Sequence, residues 1–78
     1  MSLTVYAHPD GGHYVVMDDQ NTSMKMDDGR WERAVLYRRV VPSPGGGYMY
    51  EGKNHFVTTR QRWAERFTAI GDSTNARQ

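Results

Sequence analysis

The chain is predicted to fold as a small α+β domain: a strongly twisted antiparallel β-sheet, or an SH3-like open barrel, with one C-terminal helix. Three features lead there. Leu3 to Asp18 alternates with period two around a Pro9-Asp10-Gly11-Gly12 turn, the pattern of a β-hairpin. Trp31 to Val41 is rich in aromatic and β-branched residues, which suit a pleated, half-buried surface. Trp63, Phe67 and Ile70 then recur at i, i+4 and i+7, one apolar stripe on a helix. The turns between strands are short, so the sheet is antiparallel, because parallel neighbours need long crossovers.

The elements follow in order. Leu3 to His8 is the first strand, and His13 to Asp18 returns with Tyr14 and Val16 on one face and Val15 and Met17 on the other. Asp18 to Ser23 is a polar connection, Met24 to Met26 a short strand, and Asp27-Asp28-Gly29 a turn. Neither face of Trp31 to Val41 is cleanly apolar, which predicts a bulge or strong twist along it; a helix over Arg30 to Tyr37 is the competing reading. Pro42-Ser43-Pro44-Gly45-Gly46-Gly47 reads as an exposed, mobile loop, since prolines remove donors and glycines remove rigidity. Tyr48 to Tyr50 is a strand, turned by Glu51 to Asn54, with His55 to Val57 returning along it. A helix is expected from Thr58 to Ala69, capped by Thr58 with Gln61 at capping-box spacing and stopped by Gly71. Its stripe must dock on the sheet, against Trp31, Tyr37 or Tyr48, because so short a helix is not stable alone. Residues 1–71 are read as one domain and 72–78 as a frayed polar tail.

Composition narrows function mainly by exclusion. Seventy-eight residues make one small domain, burying little over ~60% of its unfolded surface. There is no cysteine, which removes disulfides, thiolate nucleophiles and Cys-ligated zinc. The net charge of +1 argues against a strongly basic nucleic-acid binder. That near-neutrality hides a polarised chain. Residues 1–29 carry Asp10, Asp18, Asp19, Asp27 and Asp28 against Lys25, a net of −4. Residues 30–78 carry eight Arg and Lys53 against Glu32, Glu51, Glu65 and Asp72, a net of +5. Mean hydropathy is −0.82, yet aromatics reach 12%, too rich for a disordered chain. No apolar run approaches the ~20 residues of a membrane-spanning helix, no leader pattern opens the chain, and a cytoplasmic setting is expected.

Candidate chemistry is sparse. His8 and His13 flank the first turn and, with Asp10, invite a metal reading; a spacing of five is no known ligand motif, and surface or turn histidines are the simpler account. Asp18-Asp19 and Asp27-Asp28 sit on turns without calcium-loop spacing. The Gly45-Gly46-Gly47 run lacks the Lys-Ser/Thr and helix of a phosphate loop. No nucleophile or acid/base pair stands out. No enzyme, metal or cofactor is therefore expected. What remains is an aromatic and basic cluster: Tyr48, Tyr50, His55 and Phe56 with Arg60 and Arg62. Such residues form an interaction surface, a small-ligand or nucleotide site, or a stacking platform for single-stranded nucleic acid, and equally the core and rim of a small β-domain. A protein partner is the first expectation, with Tyr48, Tyr50, His55, Arg60, Arg62 and Arg66 at the contact; small ligands come next and nucleic acid last. A homodimer is a further option, since open sheet edges gain from pairing.

The segments Tyr6-x-His8-x-x-Gly11-Gly12-x-Tyr14-x-Val16, Val35-x-Tyr37-Arg38 and Arg66-Phe67-x-x-Ile70, with an aromatic strand between, resemble a family of short bacterial and phage proteins. It is the domain-of-unknown-function family numbered sixteen fifty-three. The resemblance spans most of residues 6–70, departing at the Pro42–Gly47 loop and over His55 to Thr59. It implies a small twisted antiparallel β-domain of bacterial or phage origin; the interaction module expected from the residues is then an accessory protein acting on a host protein. It carries over no activity and no catalytic residue.

Overall fold

β4 (Trp31–Pro42) is a twelve-residue strand that serves neighbours along both edges. A computed structural model describes residues 3–73, and in it the sheet contains seven strands, all paired antiparallel. Along one edge of β4 run β2 (His13–Asp18) and then β3 (Ser23–Lys25); along the other run β5 (Tyr48–Tyr50) and then β6 (Phe56–Thr59). β1 (Leu3–Ala7) pairs with β2, and β7 (Thr68–Ser73) pairs with the far side of β1. The sheet is open, with β7 at one edge and β5 and β6 at the other. One short helix, α1 (Arg60–Arg66), joins β6 to β7.

Alternation along these strands makes two clusters. Val5, Val15 and Val40 are almost fully buried on one face, with Leu3, Tyr48 and Tyr50 packed against them. Tyr14, Val35 and Trp63 form the other, ringed by Tyr6, Val16, Tyr37 and Phe67. The registers Val5↔Val15 and Tyr6↔Tyr14 explain the split, because adjacent residues point to opposite faces. The distortion expected within β4 sits in its partner. Met17 is passed over where β2 pairs Val16 with Tyr37 and Asp18 with Leu36, and the bulge turns Met17 outward at 37% exposure.

Three hairpin turns share one construction. His8 donates to the Gly12 carbonyl at 3.0 Å and Gly11 to that of His8 at 2.9 Å. Met26 and Gly29 repeat the pattern with Arg30, and Ser43 and Gly46 with Gly47. In each the fourth residue is a glycine in the left-handed region, at φ 90° for Gly11, 88° for Gly29 and 99° for Gly46, the position that closes a three-residue hairpin loop. This corrects the reading of Pro42 to Gly47 as a mobile loop. Pro42 ends β4 opposite Tyr48, and Ser43 to Gly47 is a hydrogen-bonded turn. Pro44 presets φ at the turn's second residue, so the proline and glycine content specifies a shape.

Three further expectations are corrected. β5 and β6 do not pair with each other; both lie on β4, whose length accommodates them in series. The helix is shorter than Thr58 to Ala69. Thr58 is a buried residue of β6, and Thr59 is the cap, its Oγ1 accepting from the Arg62 N–H at 3.1 Å. Phe67 leaves the helix in an extended conformation, and Thr68 to Ser73 become a strand. The unpaired edge of β1 decides this, because its ladder groups gain partners only if the chain leaves the helix. Ile70 therefore drops out of the helical stripe. It occupies the bulge where β7 pairs Ala69 with Tyr6 and Gly71 with Val5, and it is 50% exposed. The strand takes in Asp72 and Ser73 of the stretch read as a tail; 74–78 lie outside the described residues.

Trp63 docks as the stripe required, on Tyr37 of the three partners expected and on Tyr6 besides, with ring centroids 5.1 and 5.0 Å away. Trp31 is 67% exposed, and Tyr48 belongs to the opposite cluster. The Phe67 ring stacks on Trp63 at 3.8 Å and 11°. The Trp63→Ala variant is expected to lose about 3–5 kcal/mol, a large share of what so small a domain holds. Urea unfolding measures it, and a near-native midpoint would show that this ring does not hold α1. The third turn predicts a contrast. Gly46→Ala should cost about 1–2 kcal/mol, the penalty of a side chain in the left-handed region. Gly45→Ala, in open space and without positive φ, should be neutral or slightly stabilising. Equal losses in thermal melts would refute the assigned turn.

Candidate functional site

The six residues singled out from sequence do not meet in one place. Tyr48 and Tyr50 lie on β5 against the Val5/Val15/Val40 cluster, while α1 carries Arg60, Arg62 and Arg66 and packs through Trp63 on the other cluster. Phe56 follows the helix side, its ring 5.6 Å from that of Tyr37. His55 is exposed in the β5–β6 connection.

Two concave regions result. The first is a groove of about 330 Å³ where Met24, Met26, Val57 and Thr58 meet Arg62 and Glu65 of α1. The helix is tied down at its first turn and closed within itself at its last. Arg60 donates through Nη2 to the Asp19 carbonyl, and Phe67 N–H bonds the Trp63 carbonyl at 2.9 Å. β6 borders the groove and, among the described residues, has a strand neighbour on one side only. Phe56 and Val57, on that edge strand, are 41% and 43% exposed.

The second is a hollow of about 490 Å³ lined by Arg38, Tyr50, Gly52, Lys53 and His55. The Arg38 guanidinium lies 4.1 Å from the centre of the Tyr50 ring and donates through Nη2 to the Gly52 carbonyl at 2.7 Å. Its Nε is sealed from solvent without an acceptor. Gly52 has φ 67°, a backbone turn that a side chain would strain. Sequence reasoning reached Tyr50 and His55 but missed Arg38 and Lys53. Only the β4–β5 register, Val40↔Tyr50, brings Arg38 beside that loop; the clustering of Lys53 and His55 within one turn was the available signal.

The hairpin sends its histidines to opposite faces. His8 lies 4.7 Å from the Phe67 ring and His13 5.8 Å from the Tyr48 ring. His8 Nδ1 lies 3.1 Å from the Asp10 backbone nitrogen and 3.2 Å from Asp10 Oδ1, so that nitrogen is engaged within the turn. Among the described residues no three His, Cys, Asp or Glu side chains gather to hold a metal. The acids build turns instead. Asp10 accepts from the Gly12 N–H at 2.7 Å and from the Tyr14 hydroxyl at 3.2 Å. The tyrosine ring covers Gly12 so closely that a Cβ there would meet its hydroxyl at 2.8 Å. Asp18 accepts from Thr22 Oγ1 at 2.6 Å and from the Gln20 and Asn21 N–H groups. Asp28 accepts from the Arg30 N–H and Nε.

Among the described residues no helix is long and apolar enough to cross a membrane. Comparison of the chain with protein-family models, with curated proteins and with solved structures finds no match.

These bonds predict the response to acid. The Gly12 N–H for Asp10, the Thr22 hydroxyl for Asp18 and the Arg30 N–H for Asp28 are the main causes holding each carboxyl below the ordinary 3.8. A depressed folded-state pKa adds stability that is complete above the unfolded value and is lost as pH falls through the folded one. The melting temperature should thus hold from neutrality to roughly pH 4 and drop below it. Asp18→Asn should melt lower at neutral pH and show a flatter acid limb. An acid limb unchanged in that variant would remove Asp18 from the account.

Proposed function

We propose that the chain is a non-enzymatic protein-interaction module that receives an extended, acidic segment of a partner along the open edge of β6. The observation that carries this reading is the half-exposed pair Phe56 and Val57 on a strand bonded on one side only. An open edge offers unpaired N–H and C=O groups, and an added strand satisfies them while pockets receive alternate side chains. The groove beside Val57, with Met24 and Met26 in its wall, supplies such a pocket, and methionine adapts to varied shapes. Charge sets the partner's sign. The groove wall itself sets Arg62 beside Glu32 and Glu65, but α1, which follows β6 directly, carries Arg60, Arg62 and Arg66 against Glu65, and arginine grips carboxylates in a planar, bidentate manner.

The sheet in this reading is an incompletely closed, SH3-like barrel. Its support is the approach of β3 to β6 from opposite edges of β4, which rolls the sheet over the groove. The bacterial or phage setting, with a host protein as target, rests on the sequence resemblance alone.

The test is selection from a library of random ten-residue peptides displayed on phage. Enriched peptides should alternate apolar residues with Asp or Glu, and a synthesised consensus should shift the β6 amides in NMR spectra. Val57→Lys should abolish binding, and Arg62→Ala with Arg66→Ala should weaken it about tenfold, the effect of ~1.4 kcal/mol. No enrichment, a consensus that binds elsewhere, or a solution dimer with β6 paired to its own copy would each overturn the proposal.

A further inference from the structure

We infer that the hollow between β4 and the β5–β6 connection is a binding site for small phosphate monoesters, recognised through the phosphate group. Its walls bring three basic side chains together: the Arg38 guanidinium, the Lys53 ammonium and the His55 imidazole. Among the described residues no carboxylate lines it. Glu51, the one acid of the connection, is drawn to Arg39, its Oε2 3.0 Å from Arg39 Nε. A guanidinium and an ammonium gathered without a counter-anion attract an anion, and the guanidinium presents the fork of donors that phosphate oxygens fit.

The site is also built in advance. Arg38 Nη2 is tied to the Gly52 carbonyl, and the guanidinium plane is seated against Tyr50. Its orientation is thereby set before any ligand arrives, which lowers the ordering cost of binding. The same guanidinium is under-used: one Nη2 hydrogen goes to the Gly52 carbonyl and the Nε is enclosed without an acceptor, which leaves the other Nη hydrogens for a ligand. An arginine has five N–H donors, so the guanidinium keeps donors on its two Nη atoms for an anion. The Tyr50 hydroxyl meets only the Met17 thioether, at 3.7 Å, a weak acceptor that a phosphate oxygen outcompetes.

The packing further limits the ligand. Arg38 covers the Tyr50 ring, and Tyr50 packs against the Val5/Val15/Val40 cluster. Stacking of a base on Tyr50 is thus displaced by the arginine, and selectivity falls on the phosphate. A hollow of about 490 Å³ holds the phosphate and a modest organic group attached to it.

The experiment is an NMR titration of the labelled chain in phosphate-free buffer with inorganic phosphate, with adenosine monophosphate and with adenosine. Phosphate and the monophosphate should shift the amides of Gly52, Lys53 and His55 saturably, and adenosine should not. Sodium chloride at matched ionic strength should leave them in place. The double variant Lys53→Ala/His55→Ala alters two exposed side chains and keeps the Arg38–Gly52 bond. It should bind about tenfold more weakly with an unchanged melting temperature. No saturable shift at these residues, equal affinity in the double variant, or the same response to chloride would overturn the inference. Saturation by phosphate but not by the monophosphate would overturn the claim that esters are the ligands.

Discussion

Every strand but β1 and β7 is bonded directly to the twelve-residue backbone of β4, and those two reach it through β2. A strand of this length offers ladder groups on both edges, and each edge takes two shorter strands in series. The rest of the molecule depends on this. The registers of β2 and β5 bring Val15 and Val40 together with Tyr48 and Tyr50 on one face. The register of β6 starts α1 where Trp63 can reach Tyr37. A slip of one residue in any of these pairings would send each side chain to the wrong face.

The two faces are stabilised differently. On one, three small valines pack tightly and larger side chains lie over them. On the other, Tyr6, Tyr14, Tyr37, Trp63 and Phe67 meet mainly in edge-on and tilted contacts, with a single parallel stack between Trp63 and Phe67. Aromatic rings bury much area per residue at little entropic cost, which suits a chain too short for a large core. The tyrosines keep a polar end. Burial raises the pKa of Tyr14, and the nearby Asp10 carboxylate adds to it, while the same hydroxyl ties the first turn to the core. The two concavities follow from this division. The groove by α1 sets Met24, Met26 and Val57 beside Arg62, Glu32 and Glu65 along the edge of β6, whereas the hollow by Arg38 is basic and closed at its back by Tyr50.

Local periodicity made much of the fold legible. The first hairpin needed only alternation and a Pro-Asp-Gly-Gly turn, and β4 only its β-branched and aromatic content. Prolines and glycines after Val41 were legible as punctuation but not as geometry. A run such as Pro-Gly-Gly-Gly reads as loose until Ser43 is seen bonded to Gly47. The candidate site was legible in part. Tyr50 and His55 are near each other in sequence and in space, but Arg38 joins them only through strand pairing, and the arginines of α1 lie apart from them.

Taken alone, the sequence determined what depends on neighbours within a few residues: the antiparallel class, the turns, the helical placement of Trp63 and the absence of thiol chemistry. Tertiary structure decided what depends on distant partners. It ended the helix at Arg66, because the bare edge of β1 takes Thr68 to Ser73 as a strand. It laid β5 and β6 end to end on β4 and so placed Arg38 over Tyr50. The physical reason is common to both. A backbone donor or a charged side chain far along the chain is satisfied by whichever group the fold brings to it, and no local pattern encodes that group's identity.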